Sequence, residues 1–165
     1  KMFNEVTDSS FRVHLLQITF IDEVDPTKKI ESYAFVIENS DEMAHRINGE
    51  IIEQRGILTS ALSPKIYHNA LVFNYMIGNS DWQIHTQKNL KFVKHHNSDL
   101  YTIVPYDFDF ATIVSPPYLR KKDGDGRFVL HKNITNNPSI DKAILNQCLE
   151  KFKSLRKTGF ACFNK

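Results

Sequence analysis

Two short strand-forming segments, LKFVK (90–94) and YTIVP (101–105), constrain the chain more than any other feature, because oxygen-bearing side chains stand at their outer ends. Asn89 opens the first segment, and Asp107 and Asp109 follow the second. Strands this short and this close predict an antiparallel hairpin, in which the start of one strand lies beside the end of the other. Asn89 and Asp107 are therefore expected to meet at one end. Asp81 sits in the loop that feeds the same end. Carboxylate and amide oxygens converging on one point are what a hard cation such as magnesium requires. The spacing thus predicts that Asn89, Asp107 and Asp109 share one cation site, with Asp81 beside it.

The segment before that loop reads as a helix. Ile66, Ala70, Phe73 and Ile77 recur at helical spacing. Ser63 suits the N-cap, Pro64 the first turn, and Gly78 the end, where glycine accepts positive φ. Asp81 is then expected just past the C-terminus of a core helix. Upstream, Phe11 to Ile21 alternates as a strand with one buried face, and 22–29 is a polar turn. Glu31 to Glu38 is a second strand, apolar on both sides near its end and so expected to be covered on both faces. Ser40 is the expected N-cap of a short helix that has Asp41 and Glu42 in its first turn. Past the acids, 111–128 is loop-like, with Pro116, Pro117 and DGDG. A last helix is expected from Ile140 to Lys157, with Ile144, Cys148, Phe152 and Leu155 on one face and Asp141 favourable to its dipole.

Composition narrows the classes. A length of 165 residues suits a single domain, able to bury about 70% of its unfolded surface. A net charge of +2 argues against a dedicated nucleic-acid binder. Cys148 and Cys162 cannot build a disulfide framework and have no metal-ligand spacing. No apolar run reaches the roughly 18 residues of a membrane span. No signal peptide is visible, and the compartment stays open.

In this order the segments resemble a divergent protein-kinase-like family, that of the CotH-type kinases and, more distantly, the HipA-type kinases. ESYAFVIE is similar to the strand entering the hinge between kinase lobes. IGNSD resembles the catalytic-loop motif, and VPYDFDFA resembles the metal-binding motif with two spaced Asp residues. The resemblance covers roughly 11–118. It implies an α+β fold, a protein-kinase-like C-lobe (39–165) with a small β-hairpin remnant of the N-lobe (1–38), forming the C-terminal part of a longer protein. It also implies an ATP- and Mg2+-dependent phosphotransferase, with Mn2+ as a substitute, acting on a protein or small-molecule phosphoacceptor. Asp81 would orient or deprotonate the attacking hydroxyl, and Asn89 and Asp107 would hold metal ions bridging the phosphates. Asp109 would be a second acidic contact, with Asn79 bracing the loop within the nucleotide-binding set.

The chain departs from that pattern in three ways. Seven residues separate Asp81 from Asn89 where kinases typically have four, so either the loop bulges or the metal-binding amide is a different residue. Trp82 replaces a basic residue, and no glycine-rich phosphate-covering loop precedes the hinge. A non-catalytic kinase-like binding module is therefore the first alternative. An Asp-nucleophile phosphatase reading of DFDFAT is the second, but that fold needs a long α/β run after the motif. An Asp-x-Asp glycosyltransferase site lacks a nucleotide-sugar domain upstream. Of the weaker signals, His95 and His96 are adjacent on a strand and point apart, His85 is a loop histidine, and Asn133–Thr135 fits a common glycosylation triplet.

Overall fold

The computed structural model describes residues 2–114, 134 and 137–158. DGDG, Pro116, Pro117, the triplet at 133–135 as a unit and Cys162 lie outside the described residues. The chain runs α1 (Met2–Val6), β1 (Val13–Ile21), β2 (Lys29–Ile37), α2 (Ser40–Arg46) and β3 (Gly49–Ile52). It continues through α3 (Pro64–Ile77), β4 (Leu90–His95), β5 (Tyr101–Pro105) and α4 (Lys142–Thr158). Short 3₁₀ turns occupy Thr59–Ala61 and Thr112–Val114. The fold is α+β, with two small sheets that are both antiparallel: the ribbon β1-β2 and the sheet β3-β4-β5. Among the described residues Asp107 therefore follows a short strand of an antiparallel sheet, not the parallel sheet that the phosphatase alternative needs. Among the described residues no helix is long and apolar enough to cross a membrane.

The helix α3 is the centre of the molecule. Every residue from Tyr67 to Asn74 is buried, so it is enclosed nearly all round. Phe73, Leu71 and Ile77 pack with Leu90, Phe92 and Ile103 of the small sheet and with Cys148 and Phe152 of α4. The sheet's other face carries Val93 and Val104 against Met43 and Ala44 of α2. The buried His68 joins two helices: its Nδ1 donates to the Pro64 carbonyl at 2.6 Å, and its Nε2 accepts from the Asp141 N–H at 3.1 Å. Asp141 in turn caps α4 through Oδ1, accepting from Ala143 and Ile144.

Two cap expectations are corrected. Asn39, not Ser40, caps α2, because Asn39 is the last residue with extended backbone and its Oδ1 accepts from Asp41 and Glu42. Ser63 makes no side-chain cap bond; its N–H instead donates to Tyr101 at 2.7 Å, stitching the helix start to β5. Gly78 does end α3, in the left-handed region at φ 69°.

The ribbon is the larger correction. Its strands pair over nine residues, from Val13↔Ile37 to Ile21↔Lys29. Yet Ile30, Tyr33 and Phe35 are 68%, 74% and 68% exposed, so β2 is not covered on both faces, nor β1 on one. The alternation is the pattern of a strand that needs cover, and no other described element supplies it beyond the ribbon's base.

The strand β3 was not visible in the sequence pattern. It enters through Asn48 at φ 59° and begins at Gly49, which touches β4 closely. A Cβ there would lie 2.5 Å from the Lys94 carbonyl and 2.6 Å from Val93 Cγ1. Gly49→Ala is therefore expected to cost roughly 2–3 kcal/mol, the upper part of the range for overpacking. Urea unfolding with an unchanged m-value and a shift under 0.5 kcal/mol would show that β3 yields without strain.

Candidate functional site

A ladder of amides runs from the core to the acid loop. Asn74 Nδ2 donates to the Ala70 carbonyl at 2.8 Å, and Asn74 Oδ1 accepts from Asn79 Nδ2 at 2.9 Å. Asn79 Oδ1 then accepts from the Asp81 N–H at 3.1 Å. Asn79 is 1% exposed and both ends of its amide are engaged, so it holds the loop and does not present itself to a ligand. The segment after the acids is tied to the same place, since Thr112 Oγ1 donates to the Gly78 carbonyl at 2.9 Å.

The long Asp81–Asn89 spacing is taken up by a closed turn. Gln83 and Lys88 exchange backbone hydrogen bonds at 3.1 and 3.0 Å, which takes the intervening residues out of the path. Asn89 thereby returns to Asp81, its Nδ2 donating to the Asp81 carbonyl at 2.7 Å and to Oδ2 at 3.1 Å. The same closure sets the Lys88 ammonium on Asp81 Oδ1. Lys88 was missed in the sequence because only the closed turn brings it there. Gln87, Asn89 and Asp107 have φ of 58°, 54° and 58°, left-handed values that L side chains rarely adopt. Such backbone clusters where the surrounding structure over-determines a site.

Tyr106 N donates to the Asn89 carbonyl at 3.1 Å, which sets the residue before Asp107 against the start of β4. Burial, then a hydrogen bond and the charge of Asp109, then the charge of Asp81, push the Asp107 carboxyl above its usual range. The hairpin thus gathers Asp81, Asn89, Asp107 and Asp109 at one end of the sheet, as the spacing predicts. Among the described residues no three His, Cys, Asp or Glu side chains form a ready-made ion cage. Asp81 is turned toward Lys88 and Asn89, and the hydrogen-bonded Asp107–Asp109 pair stands close enough for the Asp81 charge to act on Asp107.

Against these acids lies a cavity of about 390 Å3, walled by Phe11, Val13, Phe35, Ile37 and Tyr106, with Asp107 and Asp109 at its edge. Val13, Phe35 and Ile37 belong to the base of the ribbon and Phe11 to the segment leading into it; Phe35 lines the cavity while remaining largely exposed. Phe11 meets Tyr106 edge-on at 6.1 Å. Sequence reading could not find this cavity, because its walls come from segments far apart in the chain.

Arg46 fixes the ribbon base. Its guanidinium donates to both Glu38 carboxylate oxygens at 2.8 Å and to the carbonyls of Asp8 and Ser10 at 2.9 and 2.7 Å. Glu38 also accepts from the Arg12 N–H. The Arg46 bond holds the Glu38 carboxyl below its usual range.

Comparison with known proteins gave no match: no family model, no curated protein and no solved structure matches the chain.

Proposed function

We propose that the protein is an ATP- and Mg2+-dependent phosphotransferase of the atypical, CotH- and HipA-like kinase class, its residues from 39 onward forming a kinase-like C-lobe. The observation that carries the proposal is the junction of an apolar, aromatic-walled cavity with the Asp107–Asp109 pair. A nucleotide needs both: a flat apolar slot for its base and a cation-holding edge for its phosphates. Asp107, Asp109 and the Asn89 amide oxygen hold Mg2+ or Mn2+. Asp81, oriented by Asn79 and Asn89, accepts the proton of the attacking hydroxyl. Lys88 offsets negative charge beside it. Bound Mg–ATP supplies the phosphoryl group. Phosphoryl transfer asks the protein mainly for positioning and charge neutralisation, so these few side chains suffice.

Manganese titration followed by paramagnetic broadening tests the metal edge. Burial and Asp109 raise the Asp107 carboxyl, so a proton competes with a cation there to higher pH than at an ordinary carboxylate. Affinity is therefore expected to climb as pH rises through the raised Asp107 titration. Asp107→Asn should bind at least about tenfold more weakly and lose that pH dependence. Equal binding by wild type and Asp107→Asn removes the site.

The exposed ribbon favours a second reading, a non-catalytic kinase-like module that binds a partner through its bare strands. Nucleotide binding separates the two, because the module need not bind ATP.

A further inference from the structure

The apolar cavity has a polar neighbour. A second cavity, of about 330 Å3, is lined by Glu53, Arg55, Thr86, Gln87, Lys91 and Tyr106, among others. Tyr106 lines both cavities; it precedes Asp107 and is hydrogen-bonded to Asn89. Their chemistry is opposite: aromatic and aliphatic walls on one side, charged and amide groups on the other.

The polar cavity is built from anchored parts. Gln87 Nε2 donates to the carbonyls of Gln54 at 2.9 Å and Ile52 at 3.3 Å, and Gly56 N donates to His85 O at 3.0 Å. These bonds strap the Asp81–Asn89 turn to the 52–56 segment and fix two walls relative to each other. Thr86 Oγ1 donates to Gln83 Oε1 at 2.8 Å, leaving the hydroxyl oxygen as an acceptor within the cavity lining. Arg55 and Lys91 bring two positive charges against the single negative charge of Glu53. Among the described residues neither cation has an ion-pair partner, whereas Lys88, Lys94 and Arg46 are all paired. Arg55 also offers the forked donor geometry that matches carboxylate and phosphate.

We infer that this cavity is an anion subsite that takes the phosphoacceptor, a small hydroxylated molecule bearing a phosphate or carboxylate. The acceptor assignment rests on the phosphotransferase reading; the anion subsite itself does not. In the reaction the acceptor hydroxyl oxygen bonds to the γ-phosphorus, and the bond from that phosphorus to the bridging oxygen breaks. ADP leaves with the bond's electron pair, and the hydroxyl proton passes to Asp81. A transfer between two molecules requires two neighbouring pockets, and these two share Tyr106, the residue before Asp107.

Glycerol 3-phosphate and tartrate serve as the phosphate and carboxylate probes. They are titrated into the full chain, with and without Mg2+ and a non-hydrolysable ATP analogue, and followed by backbone amide shifts. Saturable binding with Kd on the order of 1 mM is expected for at least one probe, moving the amides of Thr86, Gln87 and Lys91. The double variant Arg55→Gln, Lys91→Met should weaken it at least about tenfold while the ATP analogue binds as before. No saturable binding of either probe, or equal binding by the double variant, overturns the subsite. If a probe binds through these residues but the ATP analogue does not bind, the subsite stands and the phosphotransferase reading falls.

Discussion

Asp81→Ala is expected to lower phosphoryl transfer by on the order of 10²–10⁴-fold, the usual contribution of a positioned general base, with Mg–ATP affinity changed little. The carboxylate works on the attacking hydroxyl, and the cavity and the acid pair remain intact without it. Asp107→Ala should behave differently. It removes a cation-holding oxygen next to the apolar cavity, so metal-dependent nucleotide affinity itself should fall by at least about tenfold. A paired assay on the full-length protein, nucleotide binding by calorimetry beside phosphate transfer, separates the two. Wild type that binds no nucleotide in the presence of Mg2+ would end the kinase reading in favour of the non-catalytic module. An Asp81→Ala protein with unchanged transfer would instead leave the kinase class standing and remove Asp81 from the chemistry.

Arg46→Met carries an expected effect on stability as large as that of Gly49→Ala. One guanidinium joins α2, the 8–10 segment and the end of β2, so its loss takes two hydrogen bonds from Glu38, which keeps only the Arg12 N–H, and one from each of the Asp8 and Ser10 carbonyls. The Arg46 and Glu38 side chains are 19% and 11% exposed. The pair should therefore be worth roughly 2–3 kcal/mol, between the ~0–1 of an exposed pair and the ~3–5 of a fully buried one. The pH dependence has a definite sign. Glu38 titrates below its unfolded value, so its stabilisation is present above that value and is lost as pH falls through the depressed folded one. Urea unfolding of wild type between pH 7 and pH 3 should show that loss, and Arg46→Met should lack it. Parallel curves for the two proteins would exclude the pair as the source.

Much of the site was legible because it depends on local spacing. The hairpin register follows from two short strands and one turn, and it delivers Asn89 to the residues before Asp107 as expected. The αL glycine at 78 and the helix before it were equally plain. What could not be read depends on which face meets which. Phe11, Phe35 and Ile37 looked like generic strand residues until the ribbon base met Tyr106. Lys88 carried no signal in the sequence, because only the closed turn sets it on Asp81. The four-residue β3 is too short to show a period. The burial expected for the ribbon failed because alternation records a demand for cover, not its presence.

That ribbon has a mechanical consequence. Nine extended residues reach about 30 Å, and the ribbon is held at one end by Arg46 and bare along most of its length. It is a lever with its fulcrum at Glu38. A tilt of about 10° there carries the tip through roughly 5 Å over that length, while Val13, Phe35 and Ile37 beside the fulcrum shift far less. By this geometry a displacement applied at the ribbon's outer end would reach the walls of the apolar cavity only as a much smaller one.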